Sequence, residues 1–324
     1  MSAVTYREAL KQALRSAMAA DPAVIVMGEE VGRYGGAYGV TKGLLEEFGE
    51  GRVRDTPISE AAIVGAAVGA AMTGPKPVAE LMYVDFIGMT MDQVANQAAK
   101  IRYMFGGQVG VPMVLRTQGG TGRSGGAQHS QSLEAWVMHT PGLRVAMPAT
   151  VTDAHALLTH ALACPDPVIF IEHKSLYTTE GDLDPGAAAP WGKAEIRRHG
   201  DDVTLVTYSR MVHVALEAAE ALAADGIGVE VIDLRTLNPL DIDTMVASAS
   251  RTGRALVVTE DTLTAGVSAE LSARIQEGAF DFLEEPVVRL AAEDIPVPVS
   301  PDLERGSVPT VARIGDTVRR MVRT

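Results

Sequence analysis

Glu60 is the last charge before twelve residues, Ala61 to Met72, that carry no charge and little bulk, in "DTPISEAAIVGAAVGAAMTG" (Asp55 to Gly74). A carboxylate does general acid–base work near neutral pH when a dry pocket raises its affinity for a proton. The plainer reading is a helix-start charge: Ser59 caps the helix and the dipole favours Glu60 in its first turn. The residues after Glu60 weigh against that reading. Gly65 and Gly69 sit four apart among alanines, a smooth face for close backbone approach, and a helix apolar all round is a buried one. Its first turn is then buried too, and an isolated carboxylate there is costly without a partner. Arg52 and Arg54 lie on the preceding strand, which leaves a ligand as the candidate partner.

His129 is the second candidate. It stands next to last in the glycine-rich stretch "GGTGRSGGAQHS", where Gly120, Gly122 and Gly125 make a formal G-x-G-x-x-G. A dinucleotide site also wants an acidic residue ending the next strand, and "RVAMPAT" supplies none. No Gly-Lys-Ser/Thr follows, so the stretch is no phosphate loop of that kind. It reads as a mobile glycine loop bordering a cleft. His129 sits where a loop at the carboxyl end of a strand gives way to a helix, the edge at which open α/β sheets bind ligands. From position alone, a catalytic and a structural histidine both fit. His155 and His160 are five apart, the wrong spacing for joint metal ligation, and read as surface residues. His139 precedes "TPGL" and reads as a helix-end residue bonding free carbonyls. There is no His/Cys cluster for zinc and no G-x-S-x-G elbow.

The elements that must position these groups form a regular pattern. "AVIVMGEEV", "KPVAELMYVDF", "VPMVLRTQ", "LRVAMPA" and "PVIFIEHK" read as strands, several apolar throughout, as strands buried on both faces are. Helical patterns such as "MDQVANQAAKIRYMF" lie between them, which implies α/β architecture with a parallel sheet. "TTEGDLDPGAAAPWGKAEIRRHGDD" breaks the pattern as an interdomain linker. The alternation then restarts through "DVTLVTYS", "VEVIDLRT", "ALVVTED" and "PVVRLAA". Domains are expected at 1–178 and 199–324, with a linker at 179–198. The 324 residues suit two domains, and the net charge of −13 argues against a nucleic-acid or anionic-membrane surface. The one cysteine, Cys164, allows no internal disulfide. The first residues, with Glu8, Lys11 and Arg15, form an amphipathic helix and no secretory h-region, and the small-residue run is too short for a bilayer. A cytoplasmic protein is expected, or an organelle protein without its leader.

Several long segments together carry a resemblance. "GEEVGRYGGAYGVTKGL", "DTPISEAAIVGAAVGAAMTG", "ELMYVDFIGMTMDQVANQAAKIRYMFGG", "GAQHSQS", "PGLRVAMPAT" and "VIDLRTLNPLD" resemble the β subunit of the E1 component of 2-oxo acid dehydrogenase complexes, a group that includes acetoin dehydrogenase. The resemblance implies a transketolase-like fold of two doubly wound parallel-sheet domains, a pyrimidine-binding domain and a transketolase C-terminal domain. It implies thiamine diphosphate as cofactor. The glutamate matching Glu60 bonds N1′ of the aminopyrimidine and favours the imino tautomer, whose 4′ nitrogen takes the proton from thiazolium C2. Residues matching Met82 and Phe86 line the pyrimidine; on the strand reading, both lie on one face of the end of "ELMYVDF". His129 matches a histidine that handles substrate or the incoming lipoyl group. Some members hold a potassium ion on main-chain carbonyls of segments matching Val111, Met113, Val114, Ala161, Cys164 and Asp166.

The family's Mg²⁺ and diphosphate are held by a Gly-Asp-Gly motif and a later Asn, and neither Gly200-Asp201-Asp202 nor Gly315-Asp316-Thr317 is that motif. The resemblance therefore implies half a site. An α subunit supplies the Mg²⁺ half in an α2β2 heterotetramer, and a lipoyl acyltransferase, E2, docks on the complex. Pyruvate and acetoin both remain as substrates: the segment at Gly28 leans to pyruvate, "ELMYVDFIGMTMDQVANQAAKIRYMFGG" and "EHKSLY" to acetoin, and the branched-chain type carries Gln and Tyr in place of Met82 and Phe86. A doubly wound nucleotide-binding or scaffold protein without chemistry is the reading from another class.

Overall fold

The computed structural model describes residues 3–323, and the apolar runs do pair in parallel. By internal contacts the chain divides into two units: residues through Gly119 with Trp136–Trp191, and Gly120–Ala135 with the chain from Gly192 onward.

The first unit opens with a short strand, β1 (Ala3–Thr5), and helix α1 (Tyr6–Ala20), capped by the Thr5 hydroxyl, which accepts from the Glu8 amide. Strand β2 (Val24–Gly28), helix α2 (Leu44–Phe48), strand β3 (Val53–Asp55), helix α3 (Glu60–Ala71) and strand β4 (Lys76–Leu81) come next. A 3-10 helix at Val84–Thr90 and a π-helical segment at Asp92–Ala98 then run into α4 (Ala99–Met104). Strand β5 (Val114–Gly119), helix α5 (Glu134–Met138), strand β6 (Arg144–Ala146), helix α6 (Val151–Ala163), strand β7 (Val168–His173) and strand β8 (Glu180–Asp182) complete the series. The strands of this unit's sheet are all parallel, in the order β6-β7-β5-β4-β2-β3. Strands β4, β5 and β7 are buried almost end to end, as helices on both faces require. Strand β1 pairs with β8 apart from that sheet.

The second unit carries β9 (Glu195–Arg198), β10 (Val203–Thr207), α7 (Met211–Ala223), β11 (Val229–Asp233), a short β12 (Thr236–Asn238), α8 (Ile242–Thr252), β13 (Ala255–Thr262), α9 (Val267–Ala279) and β14 (Val288–Ala292). Helices α10 (Pro301–Ser307) and α11 (Val311–Met321) close it. Its sheet runs β14-β13-β10-β11-β9, parallel except for the antiparallel edge strand β9. The stretch 179–198, read from composition as a linker, carries β8 on one side of Trp191 and β9 on the other. Among the described residues, no helix is long and apolar enough to cross a membrane.

Arg116 sits at the middle of the first sheet, 1% exposed. From β5 it donates two hydrogen bonds to Glu172 on β7, both 2.7 Å, and one to Glu80 on β4, also 2.7 Å. The Tyr177 hydroxyl donates to Glu172 at 2.5 Å. Burial pushes the Glu80 carboxyl above its usual range, while the Arg116 charge opposes that shift. Three strands are thereby tied through side chains as well as through the backbone ladder. Removing the cation strands two carboxylates in the core, so Arg116→Leu is expected to cost about 3–5 kcal/mol, read as a fall in the urea midpoint with little change in slope.

Candidate active site

In the first sheet the chain steps from β2 outward to β3, then reverses and lays β4 on the other side of β2. Adjacent strands whose connections leave in opposite directions open a crevice at their carboxyl ends, where open α/β sheets bind ligands. Gly28 and Glu29 lie at the end of β2, and Met82 just past the end of β4. Helix α3, which begins at Glu60, connects β3 to β4 and packs on β4 and on the 3-10 helix carrying Phe86. The fold thus converges Glu60, Met82 and Phe86 on one end of one sheet.

Glu60 is only 8% exposed. Its carboxylate makes no hydrogen bond or ion pair among the described residues. Both cations considered for it are engaged elsewhere: Arg52 donates to the carbonyls of Met18, Asp21 and Val24, and Arg54 to that of Gly51. Its electrostatic neighbour is another acid, Glu29, whose carboxyl is pushed up by burial and by the Glu60 charge. Two buried carboxylates with no cation among the described residues are costly, and a ligand nitrogen that shares a proton with one of them would offset that cost.

Several sequence-based expectations are corrected by the structure. Ser59 stands at the N-cap of α3, but its side chain makes no cap bond. Helix α3 is not buried all round: Ala61, Ala62, Ala66 and Gly69 are exposed in this chain. Gly65 does allow close approach, since a Cβ there would meet Gln93 Cγ at 3.4 Å, whereas Gly69 faces open space. Met82 and Phe86 are not on a strand, because β4 ends at Leu81 and the chain turns into the 3-10 helix. Both are half-buried. His155 is buried rather than at the surface; its Nδ1 has no partner and burial lowers its proton affinity. His160 stacks on Trp191 at 5.3 Å, and His139 is exposed just past α5.

The supporting shell was not read from the sequence. The Gln118 side chain donates to the Met82 carbonyl and pins the turn after β4. Tyr83 meets Phe86 edge to face at 5.9 Å and Tyr38 at 6.3 Å, and Tyr38 stacks on Tyr177 at 4.7 Å. The buried Lys174 ammonium lies 5.7 Å from the Tyr83 ring centre. In the segments that the resemblance links to potassium, Val114 pairs with Val168, which lies two residues past Asp166. The carbonyls of Val111, Met113 and Ala161 each already accept one amide hydrogen bond. Among the described residues, no group of three or more His, Cys, Asp or Glu side chains is placed to hold a metal ion.

His129 lies in the second unit, half-buried in the loop before α5. The second sheet also reverses, between β10 and β13. Tyr208, Glu260 and Asp261 stand at that crevice, and chain from 120–135 fills it. The Thr121 amide and hydroxyl donate to Glu260 at 2.6 and 2.7 Å, and Tyr208 donates to Glu134 at 2.8 Å. The amides of Gly122 and Ser124 are taken by Glu304. The glycine pattern is therefore no phosphate cradle, and the next helix begins only at Glu134.

Comparison with known proteins accords with this geometry. Residues 2–180 match the family described as "Transketolase, pyrimidine binding domain", and residues 192–314 match "Transketolase, C-terminal domain". The chain is 45% identical to the acetoin:2,6-dichlorophenolindophenol oxidoreductase subunit beta of Cupriavidus necator, over 99% of this chain and 98% of that one. It is 48% identical to the mitochondrial pyruvate dehydrogenase E1 component subunit beta-1 of Arabidopsis thaliana, over 96% of this chain and 87% of that one. Among solved structures, a split-gene transketolase, described as an inactive beta4 tetramer, superposes with TM-score 0.81 at 22% identity, over 99% of this chain and 98% of that one.

Glu134 supplies a pH test of the second crevice. Burial, then the charge of Asp261, pushes its carboxyl from 4.5 up to about 8. The folded state therefore holds a proton that the unfolded chain has released. This contribution to stability is full below the unfolded value and is lost as pH rises toward about 8. Glu134→Gln is expected to remove this loss, so its stability relative to the parent rises between about pH 5 and pH 8, as read from urea midpoints at each pH.

Proposed function

Because the chain belongs to the E1 β-subunit family of 2-oxo acid dehydrogenase complexes, built from transketolase-type domains, we propose that it is the pyrimidine-binding half of a thiamine diphosphate enzyme. With an α subunit it decarboxylates pyruvate and reductively acylates the lipoyl group of an E2 acyltransferase. The observation that carries this reading is Glu60: a buried carboxylate without a cation, beside a second acid, at the crevice where the strand order reverses.

When bound, thiamine diphosphate supplies an electron sink for cleavage of the C–C bond next to a carbonyl. Glu60 would hold the pyrimidine N1′ and share a proton with it. Beside it, the Glu29 carboxyl is pushed up by burial and by the Glu60 charge, which favours a proton in the pocket. Met82 and Phe86 would wall the ring and exclude water, on a turn fixed by Gln118. His129 would serve the substrate or the incoming lipoyl group. The sequence contains no Gly-Asp-Gly, so Mg²⁺ and diphosphate fall to the α subunit in an α2β2 assembly. A potassium ion on the carbonyls of the Val111–Val114 and Ala161–Asp166 segments would brace β5 against α6. Acetoin is the second reading of the substrate, favoured by the end-to-end match to the Cupriavidus necator subunit. Both substrates pass a two-carbon unit to lipoamide.

In the complex reconstituted with its α partner, Glu60→Gln is expected to slow thiazolium C2 proton exchange and turnover by about 10²–10⁴-fold. Unchanged exchange and turnover would remove Glu60 from the mechanism. The isolated chain is expected to bind thiamine diphosphate weakly and turn nothing over. Full activity from it alone would overturn the half-site assignment. Turnover of pyruvate against acetoin by the complex, with an artificial electron acceptor, decides the substrate.

A further inference from the structure

The glycine-rich stretch before His129 imitates a nucleotide motif and serves another purpose in its own unit. Gly120, Gly122, Ser124 and Gly126 all have positive φ, at 85, 95, 52 and 72°. Backbone of this kind turns amide N–H groups toward a common point and makes a concavity for an anion. The anion here is a side chain of the same unit, Glu304 on α10, 3% exposed. Gly122 donates to it at 3.0 Å, and Ser124 donates to its two oxygens at 3.2 and 3.1 Å. Next to this clamp, Thr121 donates to Glu260 and its hydroxyl accepts from Arg210 at 3.0 Å.

The clamped loop closes directly on His129. The Gly120 amide donates to the Gln131 carbonyl at 3.0 Å, and the His129 amide to the Gly126 carbonyl at 3.3 Å. Gly125 is pressed against the same backbone: a Cβ there would meet Ser130 Oγ at 2.8 Å and the His129 carbonyl oxygen at 3.0 Å. Any shift of the loop at Gly122 or Ser124 is therefore passed through Gly125 to His129. Hydrogen bonds from amides to a charged carboxylate are the strong kind, which suits an anchor that must hold a loop without secondary structure.

We propose that Glu304 is a positioning residue for His129, holding the loop of residues 120–131 so that the imidazole meets the lipoyl acceptor; the proposal rests on the thiamine-dependent function of the complex and deepens it on the acceptor side. Glu304 is buried, and its carboxylate is occupied by the Gly122 and Ser124 amides. It acts through the backbone, from 182 residues away in sequence at Gly122.

The test uses the complex with its α partner and two readouts. Trypsin cleavage after Arg123, an exposed residue in the clamped loop, reports how often the loop opens. Turnover is measured with an artificial electron acceptor and, separately, with a lipoylated E2 domain. Glu304→Ala is expected to speed the cleavage about tenfold and to lower lipoyl-dependent turnover about tenfold, with artificial-acceptor turnover held within about twofold. Glu304→Gln keeps an oxygen for the amides and is expected to stay close to the parent in both. If Glu304→Ala does not assemble, Gly125→Ala displaces the His129 backbone directly and is expected to show the same selective loss. An unchanged cleavage rate, or equal falls in both activities, overturns the proposal. A parent complex inactive with both acceptors overturns the thiamine-dependent function, and this role with it.

Discussion

The reversal of strand order in each sheet is the constraint on which both candidate regions depend. Parallel strands need crossovers, and crossovers that leave neighbouring strands in opposite directions cannot cover the gap between them. In the first unit the gap lies between β2 and β4 and gathers Glu29, Glu60 and the turn that carries Met82 and Phe86. In the second it lies between β10 and β13 and takes the chain's own segment 120–135, through Tyr208 and Glu260. One topological device thus serves a pair of uncompensated acids in one unit and anchors a loop in the other.

What distinguishes these acids is the partner each finds. Glu80 and Glu172 share the Arg116 guanidinium and act as structure. Glu260 and Glu304 accept amide and hydroxyl hydrogens and act as anchors. Glu134, its carboxyl pushed up by burial, accepts from Tyr208. Glu60 and Glu29 are electrostatic neighbours with no cation paired to either among the described residues, the arrangement on which the proposed ligand contact rests. All of them are buried, so burial alone does not tell these roles apart.

Much of this was legible at the level of elements. The runs read as strands, "KPVAELMYVDF", "VPMVLRTQ", "PVIFIEHK", "DVTLVTYS" and "VEVIDLRT", each yield one, at Lys76–Leu81, Val114–Gly119, Val168–His173, Val203–Thr207 and Val229–Asp233, and the Glu60 helix starts at Glu60. Errors fall where a local pattern meets a long-range partner. The run "ELMYVDF" reads as one strand because every residue in it tolerates a sheet, yet the chain turns at Met82, whose carbonyl Gln118 captures from the next strand over. The all-apolar α3 reads as fully enclosed, yet its alanine face is exposed in the single chain, because small side chains leave open whether another helix or another subunit covers them.

The sequence by itself determined the alternation of strands and helices, the parallel sheets, the position of Glu60 at a helix start and the family to which the chain belongs. These follow from composition and periodicity, which are properties of neighbouring residues, and from long ordered motifs. Only the tertiary structure decided which charges are paired. Arg116 rather than Arg52 or Arg54 neutralises the buried acids of the first sheet, Glu304 fills the glycine loop in place of a phosphate, and Glu60 is left without a cation. Those outcomes depend on contacts between residues dozens to nearly two hundred positions apart, and no local pattern encodes them.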